Sequence, residues 1–254
     1  MILKKNGSLS WLEFELLAEV PGLVHGVFSR QGGVSQPPFD SLNASFTVGD
    51  LFTAGDRPEA VQENRRRIQQ SLQFPSLISM GQVHGSAVML VDNREQPLLV
   101  CDGLITAEKG RGLMAQHADC QAAILYDPIH RALAVVHAGW RGQVQNIYKI
   151  CIEKMGAQFG SRPQELLIGI SPSLGPSHAE FIHYKTEFPE EFWPFADLYH
   201  FNLWEIARYQ LEQCGVLPHH IEIAQICTYT DSANYFSYRR NKVRGCNATV
   251  ACLL

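Results

Sequence analysis

The sequence predicts an α+β domain built on mixed β-sheets, and the spacing of its apolar runs supports that class. Six strand-like runs are spread along the chain, and helical patterns separate only some of them. Two runs, at 122–127 and 131–138, are separated only by a short turn and are typical of a β-hairpin. A doubly wound parallel sheet would require strict alternation of strands and helices, so the mixed class is favoured.

The strand predictions rest on apolar, β-branched and aromatic residues bounded by turn residues. The six runs are GLVHGVFS (22–29), SAVMLV (86–91), AAILYD (122–127), RALAVVHA (131–138), ELLIGIS (165–171) and IEIAQICTY (221–229).

Helical periodicity is found at 56–73, 142–160 and 202–215. Asp56, followed three residues later by Glu59, predicts a capping box for the first helix. Asn202 predicts the N-cap of the third helix, and Gly215 predicts its end. The arginines at 65–67 fall within the first helix, and we expect them to form a solvated face.

Composition excludes several classes of function. The chain has 254 residues, 46% of them hydrophobic, and a formal net charge of −4. That is enough for one large domain over 1–254 or for two smaller ones, and the charge gives no reason to expect a nucleic-acid partner. No apolar run reaches the length of a membrane span or a signal peptide core, so no membrane association is expected. The seven cysteines contain no CxxC pair and indicate reduced thiols in the cytoplasm.

A Cys and a His near the ends of the predicted hairpin suggest a metal site. Centring the turn between Pro128 and Ile129 would place Cys120 directly opposite His137, about 5 Å apart at Cβ. His84, flanked by Gly81 and Gly85 ahead of another strand, offers a third ligand. Three protein ligands with an open fourth position are typical of a catalytic zinc site. A buried structural Cys beside a hydrogen-bonded His is the alternative.

The residues around this Cys/His pair suggest further roles. In an extended segment, His117 and Asp119 would point away from Cys120, so Asp119 is predicted to hold a His ring or a substrate group. Arg141 follows His137 where a strand enters a helix, and it is the best candidate for a phosphate clamp. The alternative for Arg141 is an ion pair with a structural carboxylate, Asp102 or Asp119.

Several motifs occur together in one order and identify a family resemblance. They are HGVFSRQGGVSQPPFDSLN (25–43), QVHGSAV (82–88), CDGLIT (101–106), ADC (118–120), HAGWRG (137–142), SLGP (173–176) and CTYTDSANYFSYRR (227–240). The chain resembles the laccase-domain family over nearly its whole length. That family is also known as multicopper polyphenol oxidoreductase-like, as purine nucleoside phosphorylase/adenosine deaminase and as peptidoglycan editing factor.

The resemblance implies a single domain of layered sheets and helices. It also implies a zinc ion on His84, Cys120 and His137, and phosphorolysis of purine nucleosides with adenosine deamination in the same pocket. The expected partners are therefore small molecules, a purine nucleoside and phosphate. The chain departs from the family pattern at His117, at Gln121 and at Cys246, where an Arg is usual.

Four further residues are predicted to contact the substrate. Arg30 and Asn43 lie in Gly-, Ser- and Pro-rich loops, where turn formation is the alternative role. Gln82 belongs to the QVHG motif. Arg239 lies in YFSYRRN, where we expect one of two adjacent arginines to reach the pocket.

Two other activities remain open at this stage. A peptidoglycan-precursor editing hydrolase would use Cys120 as a thiolate nucleophile and His137 as its base. A polyphenol oxidase would need copper and many more histidines, usually in His-x-His pairs, and the chain has no such pair. Copper is therefore less favoured than zinc.

Overall fold

The fold is described from a computed structural model, for residues 1–47, 53, 55–92 and 99–254. Most of the regular structure is β-strand. The strands are β1 (Ile2–Asn6), β2 (Leu9–Glu13), β3 (Leu23–Phe28), β4 (Ser76–Gly81), β5 (Val88–Leu90), β6 (Leu99–Val100), β7 (Gly103–Thr106), β8 (Arg111–His117), β9 (Gln121–Asp127), β10 (Ala132–Ala138), β11 (Leu167–Ile170), β12 (Ala196–Asp197), β13 (His200–Phe201), β14 (Ile221–Ile223) and β15 (Asn247–Leu253).

The helices are fewer and flank the sheets. They are α1 (Glu15–Ala18), α2 (Pro58–Leu72), α3 (Trp140–Val144), α4 (Ile147–Phe159), α5 (Tyr184–Glu187) and α6 (Leu203–Gln213). Short 3₁₀ turns occur at Pro163–Glu165, Pro176–His178, Glu190–Phe195 and Pro218–His220.

Two large mixed sheets form the centre of the fold. The seven-stranded sheet has the order β1-β2-β3-β15-β8-β4-β6, and the six-stranded sheet has the order β14-β11-β9-β10-β7-β5. Each contains both parallel and antiparallel pairs. In the seven-stranded sheet, for example, β8 is parallel to β4 and antiparallel to β15. The predicted α+β class with mixed sheets in a single domain is confirmed.

Alternation of side chains in β9 shows how the layers stack. Ala122, Ile124 and Tyr126 pack in the core between the two sheets. Ala123 and Leu125 face the opposite way and pack with residues of α4 and α6. Strand side chains alternate between faces, so a continuous apolar run is required in a strand buried on both sides.

The outer face of the seven-stranded sheet is covered by α2. Ile68 and Leu72 of this helix pack against Met114 and Val250 of the sheet. The order of layers is therefore α2, seven-stranded sheet, six-stranded sheet, and α4 with α6. A smaller aromatic cluster, which includes Phe188 and Phe201, lies beside α6.

Two of the three predicted helices need correction at their boundaries. Asn202 caps α6 as predicted, because its side chain accepts the Glu205 N–H. The capping box at Asp56 is wrong, since α2 begins at Pro58, Arg57 is its N-cap, and the Asp56 carboxylate accepts the Arg57 N–H and the Asn43 side-chain amide instead of N–H groups of the first helical turn. The predicted helix over 142–160 is divided into α3 and α4 at Asn146, which caps α4.

The arginines of α2 do not all form a solvated face. Arg66 and Arg67 bind Glu63 on the helix surface. Arg65, however, is half-buried and donates to the Ala44 carbonyl at 2.9 Å and to the Ser79 hydroxyl at 3.0 Å. The prediction is therefore wrong for Arg65.

The hairpin exists, but its predicted register is wrong by two residues. Asp127 pairs with Ala132, and His137 pairs with Ala122. The turn contains four residues, 128–131, because Asp127 Oδ1 accepts the N–H groups of Ile129 and His130 and thereby extends the turn.

Within the described residues, no helix is long and apolar enough to cross a membrane.

A buried histidine makes the stability of the fold depend on pH. His25 lies in β3 at 2% exposure, and its Nε2 accepts the Phe14 N–H at 2.8 Å. Burial lowers the pKa of His25 from 6.5 to about 4 and outweighs the opposing attraction of the Glu13 carboxylate. The unfolded chain therefore binds a proton that the folded chain excludes between these two pH values.

We expect His25 to reduce the free energy of unfolding as the pH falls from 7 to 4.5, by about 2.5 kcal/mol. Urea unfolding of wild type and His25→Gln at several pH values would measure this, because Gln can still accept the Phe14 N–H. His183→Gln, at an exposed position, is the control. Equal pH dependence of wild type and His25→Gln would contradict the prediction.

Candidate metal centre

Three side chains from three separate loops and strand ends converge at one place. His84 lies in the turn after β4, Cys120 between β8 and β9, and His137 near the end of β10. One potential ligand atom from each lies within 4.8 Å of the other two. The two imidazole rings meet edge to face, with centroids 5.0 Å apart.

The register correction explains how Cys120 and His137 still meet. Ala122, not Cys120, is directly opposite His137. Residues two apart in a strand lie on the same face, so a shift of two residues moves the pair to a diagonal position without separating the faces. The shift brings Gly139 into the region opposite Cys120.

Gly139 leaves space at the centre of this group. A Cβ at this position would lie 3.0 Å from His84 Cδ2, 3.2 Å from Cys120 Sγ and 3.7 Å from His137 Cε1. A side chain here would thus fill the space on which the three potential ligands converge. The close approach of these three side chains therefore explains the first glycine of HAGWRG, Gly139.

A carboxylate behind the site fixes both histidines. Asp102 is fully buried and accepts His137 Nδ1–H at 2.9 Å with Oδ1. The same oxygen accepts the His84 backbone N–H at 3.0 Å, and Oδ2 accepts the N–H groups of Val83 and Gly85 at 3.2 and 2.8 Å. The proton on Nδ1 leaves His137 Nε2 free to act as a ligand.

The thiol and its neighbouring imidazole are strongly coupled. Burial opposes ionisation of Cys120, but the charge of His137 and hydrogen bonds from His137 and His84 lower its pKa to about 6. For His137, burial is outweighed by the Cys120 thiolate and by Asp102, which raise its pKa to about 9. Cys120 is therefore a thiolate at neutral pH, the form that binds metals or attacks electrophiles.

Asp119 connects Cys120 to the C-terminal part of the chain. It has a left-handed backbone, with φ of 90°, immediately before the Cys. Its Oδ1 accepts the Thr228 hydroxyl at 2.7 Å, and its Oδ2 accepts the Arg239 backbone N–H at 2.6 Å. Asp119 holds no His ring, and its role toward a substrate stays a prediction.

Arg141 lies in the first turn of α3 with an exposed side chain. Its guanidinium lies 4.8 Å from the centroid of the Trp140 ring. The alternative of an ion pair with Asp102 or Asp119 is not observed, since Arg141 forms no ion pair with any residue that the structure describes. Arg141 is therefore free to meet an anion, and that role stays a prediction.

The other predicted substrate contacts have partners within the protein. Arg30 donates to the Asp40 carbonyl at 3.0 and 2.6 Å. Gln82 exchanges two hydrogen bonds with the Gln116 backbone at 2.7 and 2.8 Å. Their binding roles remain predictions.

Asn43 and Arg239 likewise hold loops together. The buried Asn43 side chain accepts the N–H groups of Ser45 and Cys246, both at 2.9 Å. Arg239 Nη2 donates to the Glu180 carbonyl at 3.1 Å. A substrate role for either residue also remains a prediction.

His117 is absent from the group of potential ligands, as the alternation argument indicates. Its ring is buried in β8, and its Nε2 lies 2.8 Å from the Thr249 hydroxyl. Burial, together with the charge of His137, lowers the pKa of His117 to about 3, so the ring is neutral.

Sequence reasoning missed Asp102 as the partner of His137. The signal was present: an aspartate lies within the otherwise apolar stretch LLVCDGLIT (98–106). A carboxylate in a buried strand must be hydrogen-bonded or paired, so it marks a nearby donor. The sequence does not reveal which donor, because β7 and β10 are far apart along the chain.

A second group of potential ligands comprises Asp127, His130 and Glu165. Asp127 already accepts two turn N–H groups and the His130 ring, and Glu165 binds Arg162. These contacts account for the group as part of the hairpin turn.

The chain is similar in sequence and in fold to known proteins. The chain is 33% identical over 238 residues to a purine nucleoside phosphorylase of Pseudomonas aeruginosa, covering 89% of this chain and 92% of that protein. It is 30% identical over 250 residues to a purine nucleoside phosphorylase of Bacteroides thetaiotaomicron, covering 90% of each. The crystal structure of YlmD from Geobacillus stearothermophilus matches with a TM-score of 0.86 at 26% identity, over 99% of this chain and 98% of that one.

The family model described as multi-copper polyphenol oxidoreductase laccase matches residues 24–254, which include every residue of the candidate metal centre. The chain therefore belongs to the multi-copper polyphenol oxidoreductase laccase family.

Proposed function

We propose that this chain is a zinc-dependent purine nucleoside phosphorylase that acts on adenosine, inosine and methylthioadenosine and also deaminates adenosine. The carrying observation is the convergence of His84, Cys120 and His137. Arg141 follows His137 by four residues and has an exposed side chain in the first turn of α3. The names of the relatives in Pseudomonas aeruginosa and Bacteroides thetaiotaomicron support the same reaction class.

The donor set favours zinc. Two imidazole nitrogens and one thiolate, with a fourth position left to substrate or water, are typical of catalytic zinc sites. The space beside Gly139 and the lowered pKa of Cys120 fit such an ion. When bound, zinc supplies a Lewis acid that polarises an oxygen of the substrate or of water.

In phosphorolysis, a phosphate oxygen forms a bond to the ribose C1′ while the bond from C1′ to the purine nitrogen breaks. The purine leaves with the bonding electrons and takes up a proton. In our proposal Arg141 orients the phosphate with two parallel N–H donors. Asp102 keeps His137 in one tautomer throughout. In deamination, water adds at the purine C6 and ammonia leaves.

The editing hydrolase is the second candidate, and the low pKa of Cys120 favours it. A thiolate that is not held by a metal can attack a carbonyl, with His137 as the proton donor to the leaving group. Metal content separates the two candidates, because a thiolate ligand of zinc is not free to attack.

Multicopper oxidation is less compatible with the residues. Such enzymes need several copper sites and many histidines, usually in His-x-His pairs. The chain has ten histidines and no His-x-His pair. Among the described residues, a single group combines two histidines with a cysteine.

Removing the sulfur ligand tests the metal site. We expect wild type purified without added metal to carry about one zinc ion per chain, and Cys120→Ala to carry almost none. Elemental analysis measures the content. Cys214→Ala, which removes another half-buried thiol, should keep the wild-type content. Full zinc occupancy in Cys120→Ala would eliminate the assignment.

Changing Asp102 tests whether it positions the ligands. Asp102→Asn keeps the shape of the side chain but replaces one carboxylate oxygen with an NH₂ group. That group cannot accept a hydrogen bond from any of the four N–H donors around Asp102. We expect zinc affinity to fall about 10- to 100-fold, measured by competition with a chromophoric chelator. Asp197→Asn, at an exposed position, is the matched control. Unchanged affinity in a folded Asp102→Asn protein would contradict the positioning role.

The phosphate clamp is tested by kinetics. We expect wild type to release purine base from inosine or adenosine only with phosphate present. Arg141→Ala should lower kcat/KM for phosphate by about 30- to 1000-fold, equivalent to about 2–4 kcal/mol, and Arg141→Lys should restore part of the loss. Lys149→Ala, at another exposed cation, serves as control.

Two outcomes would reject these assignments separately. If both Arg141 variants fold and keep the wild-type phosphate dependence, Arg141 is not the clamp. If wild type releases no purine base with phosphate present, the phosphorylase proposal fails and the editing hydrolase becomes the leading candidate.

A further inference from the structure

Arg244 is a half-buried arginine whose donors lack partners. It lies just before β15, and its Nε and Nη1 atoms are buried without a hydrogen-bond partner. It forms no ion pair with any residue in the described ranges. A guanidinium removed from water loses hydration that must be replaced by hydrogen bonds or an opposite charge. The described part of the chain therefore offers no acceptor to Nε and Nη1 of Arg244.

The surroundings of Arg244 are positively charged. The ring of Tyr238 has the Arg244 guanidinium 5.2 Å and the Lys242 ammonium 4.0 Å from its centroid. The segment 239–244, RRNKVR, contains four cations and no acid, in a chain with a net charge of −4. Two like charges around one ring repel each other, and a bound anion would remove that repulsion.

Arg240 differs from its neighbours and shows what a structural arginine looks like here. Its guanidinium donates to the carbonyls of Thr228, Tyr229 and Tyr235, at 2.8, 2.8 and 2.6 Å. Arg240 thus holds the loop together, whereas no such acceptors surround Arg244 Nε and Nη1.

A second cation approaches from α2. The charges of Arg244 and Arg65 both act on the Cys246 thiol, and both oppose the rise in its pKa that burial causes. Burial lowers the pKa of Arg65 itself to about 10, and no carboxylate compensates it. Arg65 is held next to this part of the chain, since its Nε donates to the Ala44 carbonyl and the Ala44 N–H donates to the Cys246 carbonyl.

This positive region adjoins the candidate metal centre. Asp119, which precedes Cys120, accepts the Arg239 backbone N–H at 2.6 Å. Asn247, which follows Cys246, pairs across the sheet with His117, three residues before Cys120. The segment that carries Arg244 is therefore tied at both of its ends, Arg239 and Asn247, to the part of the chain that carries Cys120.

We propose that Arg244, supported by Lys242 and Arg65, binds a tetrahedral phosphate dianion beside the candidate metal centre. The ligand is inorganic phosphate or the phosphate group of a nucleoside monophosphate. The choice of phosphate among anions rests on the proposed phosphorolysis, whereas the need for an anion rests on the unpartnered guanidinium. Arg244 would then contact the anion from the segment before β15, whereas Arg141 lies in α3.

The experiment measures binding in the absence of catalysis. Isothermal titration of the purified wild-type protein would use inorganic phosphate in one series and adenosine 5′-monophosphate in the other, without nucleoside. We compare Arg244→Gln, Arg244→Lys and the control Arg66→Gln, which removes one exposed charge from α2. Phosphate-induced shifts in Tm provide a second readout for each variant.

We expect Arg244→Gln to weaken binding at least tenfold and to lose most of the phosphate-induced rise in Tm. Arg244→Lys should show an intermediate loss, and Arg66→Gln should equal wild type. A larger effect on adenosine 5′-monophosphate than on phosphate would identify the ester as the ligand, and the reverse would identify the free ion.

Two results would overturn the proposal: binding of neither anion to wild type, or affinities of Arg244→Gln within twofold of wild type. The proposed function fails independently. Arg244-dependent phosphate binding in a protein that releases no purine base would retain this site while rejecting the phosphorylase.

Discussion

The candidate metal centre depends on one buried carboxylate. Asp102 accepts the His137 ring N–H and three backbone N–H groups of the loop that carries His84. Burial opposes its charge, but the hydrogen bond and charge of His137 and the backbone donors lower its pKa below the usual range. A buried carboxylate is stable only when its oxygens accept hydrogen bonds. The donors that Asp102 requires belong to His137 and to the loop of His84, so the same hydrogen bonds orient both potential ligands.

The position of Asp102 is itself set by strand pairing. Val136 of β10 pairs with Gly103 of β7, and the His137 N–H donates to the Asp102 carbonyl at 2.7 Å. This register brings the carboxylate and the imidazole to adjacent strands at the same level. A slip of one residue would send one of the two side chains to the opposite face. The site is thus a consequence of the register of the six-stranded sheet.

Local patterns predicted six of the fifteen described strands, namely β3, β5, β9, β10, β11 and β14, and the convergence of Cys120 and His137. The hairpin register was wrong because Asp127 closes a four-residue turn, but an even shift preserves the face of each side chain. The capping box at Asp56 failed because Pro58 starts the helix one residue later than that motif requires. The contacts of Asp102 and the burial of Arg65 were not predictable, since both depend on elements distant in sequence.

The charges of the centre support the proposed divalent metal. Two anions, the Asp102 carboxylate and the Cys120 thiolate, lie beside the imidazoles of His84 and His137. When both imidazoles act as neutral ligands, a divalent cation makes the group neutral, whereas a monovalent ion such as Cu(I) leaves one uncompensated negative charge in a buried place. A neutral centre does not repel an incoming anion as strongly as a negative one. In the proposed phosphorolysis, the guanidinium groups of Arg141 and Arg244 would then determine where the phosphate binds.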